Sequence, residues 1–292
     1  KNKLPFVFAT RSSAGDVQVA RNLVAVYVPL MPNTVFRPGD LETVRSTALQ
    51  LGTSVMLLPL RSPIITTQAC NTIDVLSNGR FILGVGVGDS GSHEGLGANP
   101  KMRGKKTSEY LELIQSLWER APTQFSGPSV KINNYQLTPY PIQTPHPPIW
   151  VGGHSSQAIT RAAHYADGFI TVGAPPEHAL RMFEDLDRQA VALGRGPLAR
   201  VVHLYLGFAE NTQAAAKNVN KALTDRYQRS VDIGGKVEPH FLGTEDDIVE
   251  VARKFLNIGV THFILDPTGD GPSALNHAKR FITNCRETIL TS

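Results

Sequence analysis

The feature that most constrains the fold of this chain is a regular alternation of short β-branched segments with longer helical patterns. Ala48–Leu60 and Arg80–Gly88 have the composition of buried strands, and the helical patterns Pro63–Gly79 and Lys106–Arg120 follow them. About eight such β-α units occur in the 292 residues. Repeated β-α units form parallel sheets, and eight of them predict an α/β fold of the closed (β/α)8, or TIM-barrel, type. An open doubly wound sheet is the alternative.

The remaining predicted strands share short apolar runs bounded by Gly, Pro or polar residues. They are Leu4–Thr10, Val24–Leu30, Pro148–Gly153, Gly168–Gly173, Arg200–Glu210 and Thr261–Pro267. The alternation breaks at residues 121–147, which are rich in Pro and polar residues and predict a loop or hairpin inserted between the fourth and fifth strands. No linker divides the sequence, so a single domain over residues 1–292 is expected.

Composition restricts the classes of function. Hydrophobic residues make up 41% and charged residues 18%, which allows a substantial core. The net charge of +4 is not concentrated in a dense Lys/Arg run, so a nucleic-acid surface is not predicted. A mild positive excess fits an anionic small molecule, such as a phosphate-bearing cofactor.

The cysteine content and the hydropathy predict a soluble cytoplasmic protein. Cys70 and Cys285 are the only cysteines, and two isolated thiols are more typical of a reduced intracellular protein than of a disulfide. No apolar run approaches the ~20 residues that span a bilayer, and the first residues do not resemble a signal peptide.

A glycine motif raises the question of a dinucleotide site. Gly86–Gly91 fits G-x-G-x-x-G, the fingerprint of NAD(P)-binding Rossmann dehydrogenases, but about a dozen loop-like residues are predicted before the next helix. The acidic residue expected at the end of the following strand is also missing. The Rossmann dehydrogenase is therefore kept only as a remote alternative.

Glycines recur at three predicted strand ends, Gly52–Val55, Gly84–Asp89 and Val151–Ser156. In a barrel these ends carry the site, and glycine lets a flat ring or a phosphate approach the backbone. The third segment runs directly into a helix, whose free amides could bind an anion. The alternative for this segment is an ordinary turn with a serine N-cap.

Three segments in order resemble one protein family. LGTSVMLLPLRSP, TIDVLSNGRFILGVGVG and PHPPIWVGGHSSQAITRAAHYADGFITVG are similar to the bacterial luciferase-like superfamily of flavin- and deazaflavin-dependent oxidoreductases, nearest to the branch that uses coenzyme F420. The resemblance is strong over residues 46–175 and weaker at Gly243–Leu265.

The resemblance implies a cofactor site with residues from each strand end. It implies a cis peptide at Ser54–Val55 behind the ring of F420 or FMN. The other implied cofactor contacts are Gly86 and Gly88 beside the ring, and Gly152, Gly153, His154, Ser155 and Arg103 around the phosphate. A surface arginine is the alternative for Arg103.

The chain also departs from the family pattern. Only about fifty residues precede Gly52, and Leu23–Pro38 replaces the family's GFDxxWxxDH-type segment. The resemblance therefore does not assign the residues that contact the substrate. Asp89 stands where an aromatic residue is common. His93 is the best-placed candidate for a catalytic proton donor, and a solvated loop residue is its alternative. The histidines have no metal-site spacing.

The sequence thus predicts an oxidoreductase that transfers a hydride between F420 and a small carbonyl or alkene. The alternatives are an FMNH2-dependent monooxygenase that uses O2 and a separate flavin reductase, and a non-catalytic flavin-binding barrel. A small-molecule substrate and no nucleic-acid or membrane partner are expected; a homodimer is implied only by the family.

Overall fold

The computed structural model describes residues 6–9, 25–27, 50–227, 240–268 and 271–291. Two of the predicted strands are found in part, as β1 (Phe6–Ala9) and β2 (Ala25–Tyr27). The segment AGDVQVARNL (Ala14–Leu23) predicts a short helix between these strands, and it lies outside the described residues. The chain divides into two compact units: unit 1 is Lys1–Val28, Ile170–Asp185 and Ala199–Ser292, and unit 2 is Pro29–Phe169 and Leu186–Leu198. The single domain over residues 1–292 stays a prediction.

Unit 2 contains a parallel sheet and a separate hairpin. Its strands are β3 (Gln50–Gly52), β4 (Met56–Leu57), β5 (Phe81–Gly86), β6 (Thr123–Ser126), β7 (Lys131–Tyr135) and β8 (Ile149–Gly152). The order β3-β5-β8 is parallel throughout, and β4 also pairs with β5. Strands β6 and β7 pair antiparallel within residues 121–147, which confirms the inserted hairpin.

The helices of unit 2 begin at the signals that the sequence carries. They are α1 (Pro63–Leu76), α2 (Ser90–Glu94), α3 (Arg103–Trp118) and α4 (Ser156–Tyr165). Helix α1 has Pro63 in its first turn and Ser62 as its N-cap, as its sequence predicts. The prediction that Ser92–Gly104 is all loop is wrong, because the Asp89 carboxylate caps the short helix α2.

Buried polar side chains of α1 and α3 hold the inserted segment. The fully buried carboxylate of Asp74 accepts hydrogen bonds from the backbone amides of residues 142–143 at 2.8 and 3.0 Å. The Asn71 amide donates to the Pro139 carbonyl at 2.8 Å, and the Glu109 carboxylate accepts from two amides of the β6–β7 turn. From its place within the segment TIDVLS, Asp74 is expected to cap or brace the fold rather than to react, and the structure shows it as a brace of the inserted segment.

Unit 1 contains a second run of parallel strands in the order β11-β10-β12-β1-β2. The strands are β10 (Ala199–Phe208), β11 (Phe241–Gly243) and β12 (His262–Pro267). The helices are α6 (Thr212–Tyr227), α7 (Glu245–Asn257), α8 (Gly271–Arg280) and α9 (Arg286–Thr291). Strand β9 (Gly168–Val172) and helix α5 (Pro176–Ala192) have residues in both units.

The C-terminal helical pattern is less regular than its sequence predicts. The sequence over Pro272–Leu290 predicts a single closing helix, but a π-helical turn, Phe281–Cys285, separates α8 from α9. Helix α7 begins with a capping box between Thr244 and Asp247. Its first residue, Glu245, accepts hydrogen bonds from Arg280, including one of 2.9 Å at Nη2, and these bonds lower the pKa of the carboxyl to about 2.

Both cysteines are buried and unpaired. Burial raises the pKa of the Cys70 and Cys285 thiols to about 12. Within the described ranges, no helix has the length and apolar character needed to cross a bilayer.

Candidate functional site

The first strand end of the predicted site contains a break in the sheet. One continuous strand over Ala48–Leu60 is predicted, but β3 ends at Gly52 and β4 begins at Met56. The Thr53 hydroxyl donates to the Gly84 carbonyl at 2.6 Å and accepts from the Gly84 amide at 3.0 Å. Since this hydroxyl satisfies the backbone of β5, the chain can bulge at residues 53–55. The Ser54–Val55 peptide in the bulge is cis, as the resemblance implies.

The end of β5 lies against this bulge, and the Val55 side chain packs directly over Gly86. A Cβ atom on Gly86 would be 2.6 Å from Cγ2 of Val55, which is too close for any side chain. Gly88 has φ of 76°, a conformation that favours glycine, and its Cβ would be 3.2 Å from Leu57. The Ser54 hydroxyl is buried and has no hydrogen-bond partner among the described residues. The Ser54–Val55 bulge and the two glycines thus form a cradle at the end of β5.

The end of β8 completes this row of strand ends. Val85 pairs with Val151, so Gly86 and Gly152 follow at adjacent positions of the sheet. A Cβ on Gly153 would lie 2.5 Å from the Ala158 Cβ, so glycine is required for the turn to pack on α4. The Ser155 hydroxyl accepts from the Ala158 amide at 3.2 Å and caps α4. The structure therefore contains the serine N-cap that an ordinary turn would have. This cap lies at the helix end where an anion would bind.

His93 lies in α2, next to the glycine loop, and is only 2% exposed. Its Nε2 is 2.8 Å from the Val87 carbonyl oxygen. A carbonyl can only accept, so Nε2 carries the hydrogen of this bond. The solvated-residue interpretation is wrong for His93, while its neighbour Glu94 is exposed. The contact fits a residue that positions the Gly88 backbone; the role of proton donor stays a prediction.

Arg103 begins α3 and donates from Nη1 to the Pro100 carbonyl at 2.6 Å. A different arginine, which the sequence analysis did not single out, is buried beside the start of this helix. Arg161 of α4 is 7% exposed and donates from Nε to the Ser108 hydroxyl at 3.1 Å and from Nη2 to the Gly104 carbonyl at 3.0 Å. Its only sequence signal is a cation among the alanines on the buried face of α4.

Unit 1 contains a polar cluster that the sequence analysis also missed. His203 and Tyr205 lie two residues apart on β10 with their rings in contact, and the His203 Nε2 is 3.8 Å from the Asp266 carboxylate. The His240 Nδ1 accepts from the Tyr205 amide at 3.2 Å. The buried Nε2 of His203 has no hydrogen bond among the described residues. In the same residues, no group of His, Cys, Asp or Glu could hold a metal ion.

The chain matches one family model over most of its length. A model described as luciferase-like monooxygenase matches residues 44–262. This match covers all three glycine-rich strand ends, the hairpin and α4.

Solved structures show the same fold at low sequence identity. The coenzyme F420-dependent tetrahydromethanopterin reductase from Methanopyrus kandleri is 17% identical, with a TM-score of 0.82 over 99% of this chain and 100% of that chain. An F420-dependent secondary alcohol dehydrogenase in complex with an F420-acetone adduct is 16% identical, with a TM-score of 0.77 over 98% and 100%. The oxygenating constituent of 3,6-diketocamphane monooxygenase from Pseudomonas putida, in complex with FMN, is 14% identical, with a TM-score of 0.73 over 99% of both chains.

These likenesses confirm the predicted fold class, α/β of the TIM-barrel type, and they leave the Rossmann alternative without support. The five-residue helix after Gly88 also differs from the long helix that a dinucleotide fingerprint requires. The family match identifies the chain as an enzyme of the oxidoreductase class. The chain belongs to the luciferase-like monooxygenase family.

Proposed function

We propose that this enzyme binds coenzyme F420 and transfers a hydride between it and a small carbonyl or alkene substrate. The observation that carries the proposal is the cradle itself, in which the half-buried Val55 side chain covers Gly86 and the buried Ser54 hydroxyl has no hydrogen-bond partner among the described residues. Val55 would offer a flat ring an apolar surface, and the Ser54 hydroxyl would offer it a hydrogen bond.

The residues of unit 2 would hold two parts of the cofactor. Ser54, Val55, Gly86 and Gly88 would contact the ring, and the 152–155 turn would bind the phosphate at the N-terminus of α4, with the Ser155 hydroxyl as a donor. When bound, a deazaflavin supplies a hydride donor or acceptor, and a reduced flavin supplies electrons for O2 activation. The protein orients that ring, and His93 fixes the backbone that the ring would touch.

F420 is favoured over FMN by two observations. The F420-dependent reductase and dehydrogenase are among the structures with this fold, and the net charge of +4 suits a cofactor with an anionic tail. The second candidate is an FMNH2-dependent monooxygenase, which the family's description and the FMN-bound monooxygenase of Pseudomonas putida support. That candidate requires a flavin reductase partner, whereas a non-catalytic barrel requires neither partner nor substrate.

A fluorescence titration with F420, FMN and NADPH, followed by reoxidation in air, tests the proposal. We expect F420 to bind most tightly and its reduced form to persist in air. Tight binding of FMN, with rapid reoxidation, would favour the monooxygenase. Binding of neither F420 nor FMN would reject both enzyme proposals.

A pair of serine variants tests where the phosphate lies. Ser155 and Ser62 both cap helices, but only Ser155 is in the proposed site. Ser155→Ala would remove a hydrogen bond to a charged group, so we expect cofactor affinity to fall about tenfold or more. Ser62→Ala removes a comparable cap and should leave the affinity unchanged. Equal cofactor affinities in the two variants would mean that the phosphate does not lie at the 152–155 turn.

A further inference from the structure

A groove with a volume of about 520 Å³ lies between α3 and α4 of unit 2. Its lining contains the cationic side chains Lys101, Lys105 and Arg161 together with the hydroxyls of Ser108 and Ser156, and it contains no Asp or Glu. Both lysines are exposed at its rim. The chemistry of this lining selects for an anion that carries more than one charge.

The buried arginine distinguishes this groove from a surface patch of lysines. Arg161 is held by the Ser108 hydroxyl and the Gly104 carbonyl, which are both uncharged. No carboxylate of the described residues forms an ion pair with it, and burial lowers the pKa of its guanidinium below the ordinary value. A buried charge without a counter-ion is costly, so an anion in the groove would offset that cost.

The groove continues directly from the proposed phosphate turn. Ser155 caps α4, and the next two residues, Ser156 and Gln157, line the groove. The first turn of this ten-residue helix adds positive potential at the same point. If a ligand binds its phosphate at the 152–155 turn, only groups attached beyond that phosphate, on the side away from the ring, can extend into the groove.

We infer that the groove between α3 and α4 binds the oligoglutamate tail of the deazaflavin cofactor. FMN ends at its phosphate and has no group to place there, whereas F420 continues beyond its phosphate into several carboxylates. The inference rests on the proposed function and deepens it, because it identifies the residues that would select F420 over FMN. The lysines would contribute at the rim, and Arg161 would contribute from the floor.

The test compares F420 with its glutamate-free form, which keeps the ring and the phosphate, in fluorescence titrations. The variants are Lys101→Glu and Lys105→Glu, because both lysines are exposed and their replacement should not disturb folding. Lys131→Glu, at an exposed position of β7 outside the groove, is the control with the same change of charge. Arg161 is not replaced, because it also joins α3 to α4.

We expect wild-type protein to bind F420 about tenfold more tightly than the glutamate-free form. Lys101→Glu and Lys105→Glu should each remove most of that difference, and Lys131→Glu should keep it. High salt should reduce it, because the rim charges are exposed. Equal affinities for the two forms in wild-type protein, or an equal effect of Lys131→Glu, would overturn the inference and leave the proposed function intact. If neither form binds, the proposed function fails and the inference fails with it.

Discussion

Replacing Gly86 with alanine perturbs the cradle with a single methyl group. The added Cβ would lie 2.6 Å from the Val55 Cγ2, about 1 Å closer than the optimal separation of two carbon atoms. Overpacking of this kind costs about 1–3 kcal/mol. For a chain of this size each kcal/mol lowers Tm by roughly 2–4 °C, so the expected decrease is roughly 2–12 °C.

The assay is thermal unfolding of four proteins, the wild type, Gly86→Ala, Val55→Ala and the double variant. Val55→Ala removes the methyl group that the new Cβ meets, so the double variant should recover at least about 1 kcal/mol relative to additivity. Gly196→Ala is the control, because a Cβ there meets no atom within 4 Å. We expect its Tm to equal or slightly exceed that of the wild type.

Two results would refute this reasoning. One is a Gly86→Ala protein as stable as Gly196→Ala, and the other is strict additivity of the Gly86 and Val55 substitutions. Either would mean that the end of β5 does not lie against the bulge, and the cradle would lose its geometric basis.

Three further predictions concern groups outside the cradle. Asp74→Asn should lower the free energy of unfolding, measured by urea denaturation, by roughly 3 kcal/mol, because an amide donor would face backbone amides that need an acceptor. A loss below about 1 kcal/mol would contradict the role of Asp74 as a brace. Cys70 and Cys285, whose pKa values burial raises to about 12, should not react with a thiol reagent at pH 8 until the protein is denatured; fast labelling of either would contradict their burial. The pKa of Glu245 is lowered to about 2 in the folded protein, so its contribution to the free energy of unfolding is present above about pH 4.5 and is lost as the pH falls toward 2. Glu245→Gln should remove that pH dependence and lower the free energy of unfolding by about 1 kcal/mol at pH 7. An unchanged dependence of stability on pH would contradict this role.

Local signals in the sequence predict the start of α1 and the brace. Ser62 and Pro63 specify the start of α1 through the backbone that follows them, so neighbouring residues suffice to predict it. Asp74 is predictable as a structural residue because an acid within an apolar helix face requires partners. The inserted loop or hairpin is predictable because residues 121–147 are rich in Pro and polar residues and interrupt the β-α alternation.

The details of the site depend on contacts between residues far apart in the chain. The break before β4 depends on the Thr53 hydroxyl and on Gly84, 31 residues later, and the position of Arg161 depends on Ser108, 53 residues earlier. No local pattern encodes such pairs. The cis Ser54–Val55 peptide was expected only from the family resemblance, since serine and valine carry no local preference for it.

The most direct measurement is a crystal structure of the protein with its cofactor bound. We expect the ring to lie against the Ser54–Val55 bulge and Gly86, with the phosphate at the turn formed by residues 152–155. A cofactor bound in another part of the chain, or in this region with its phosphate away from that turn, would contradict it.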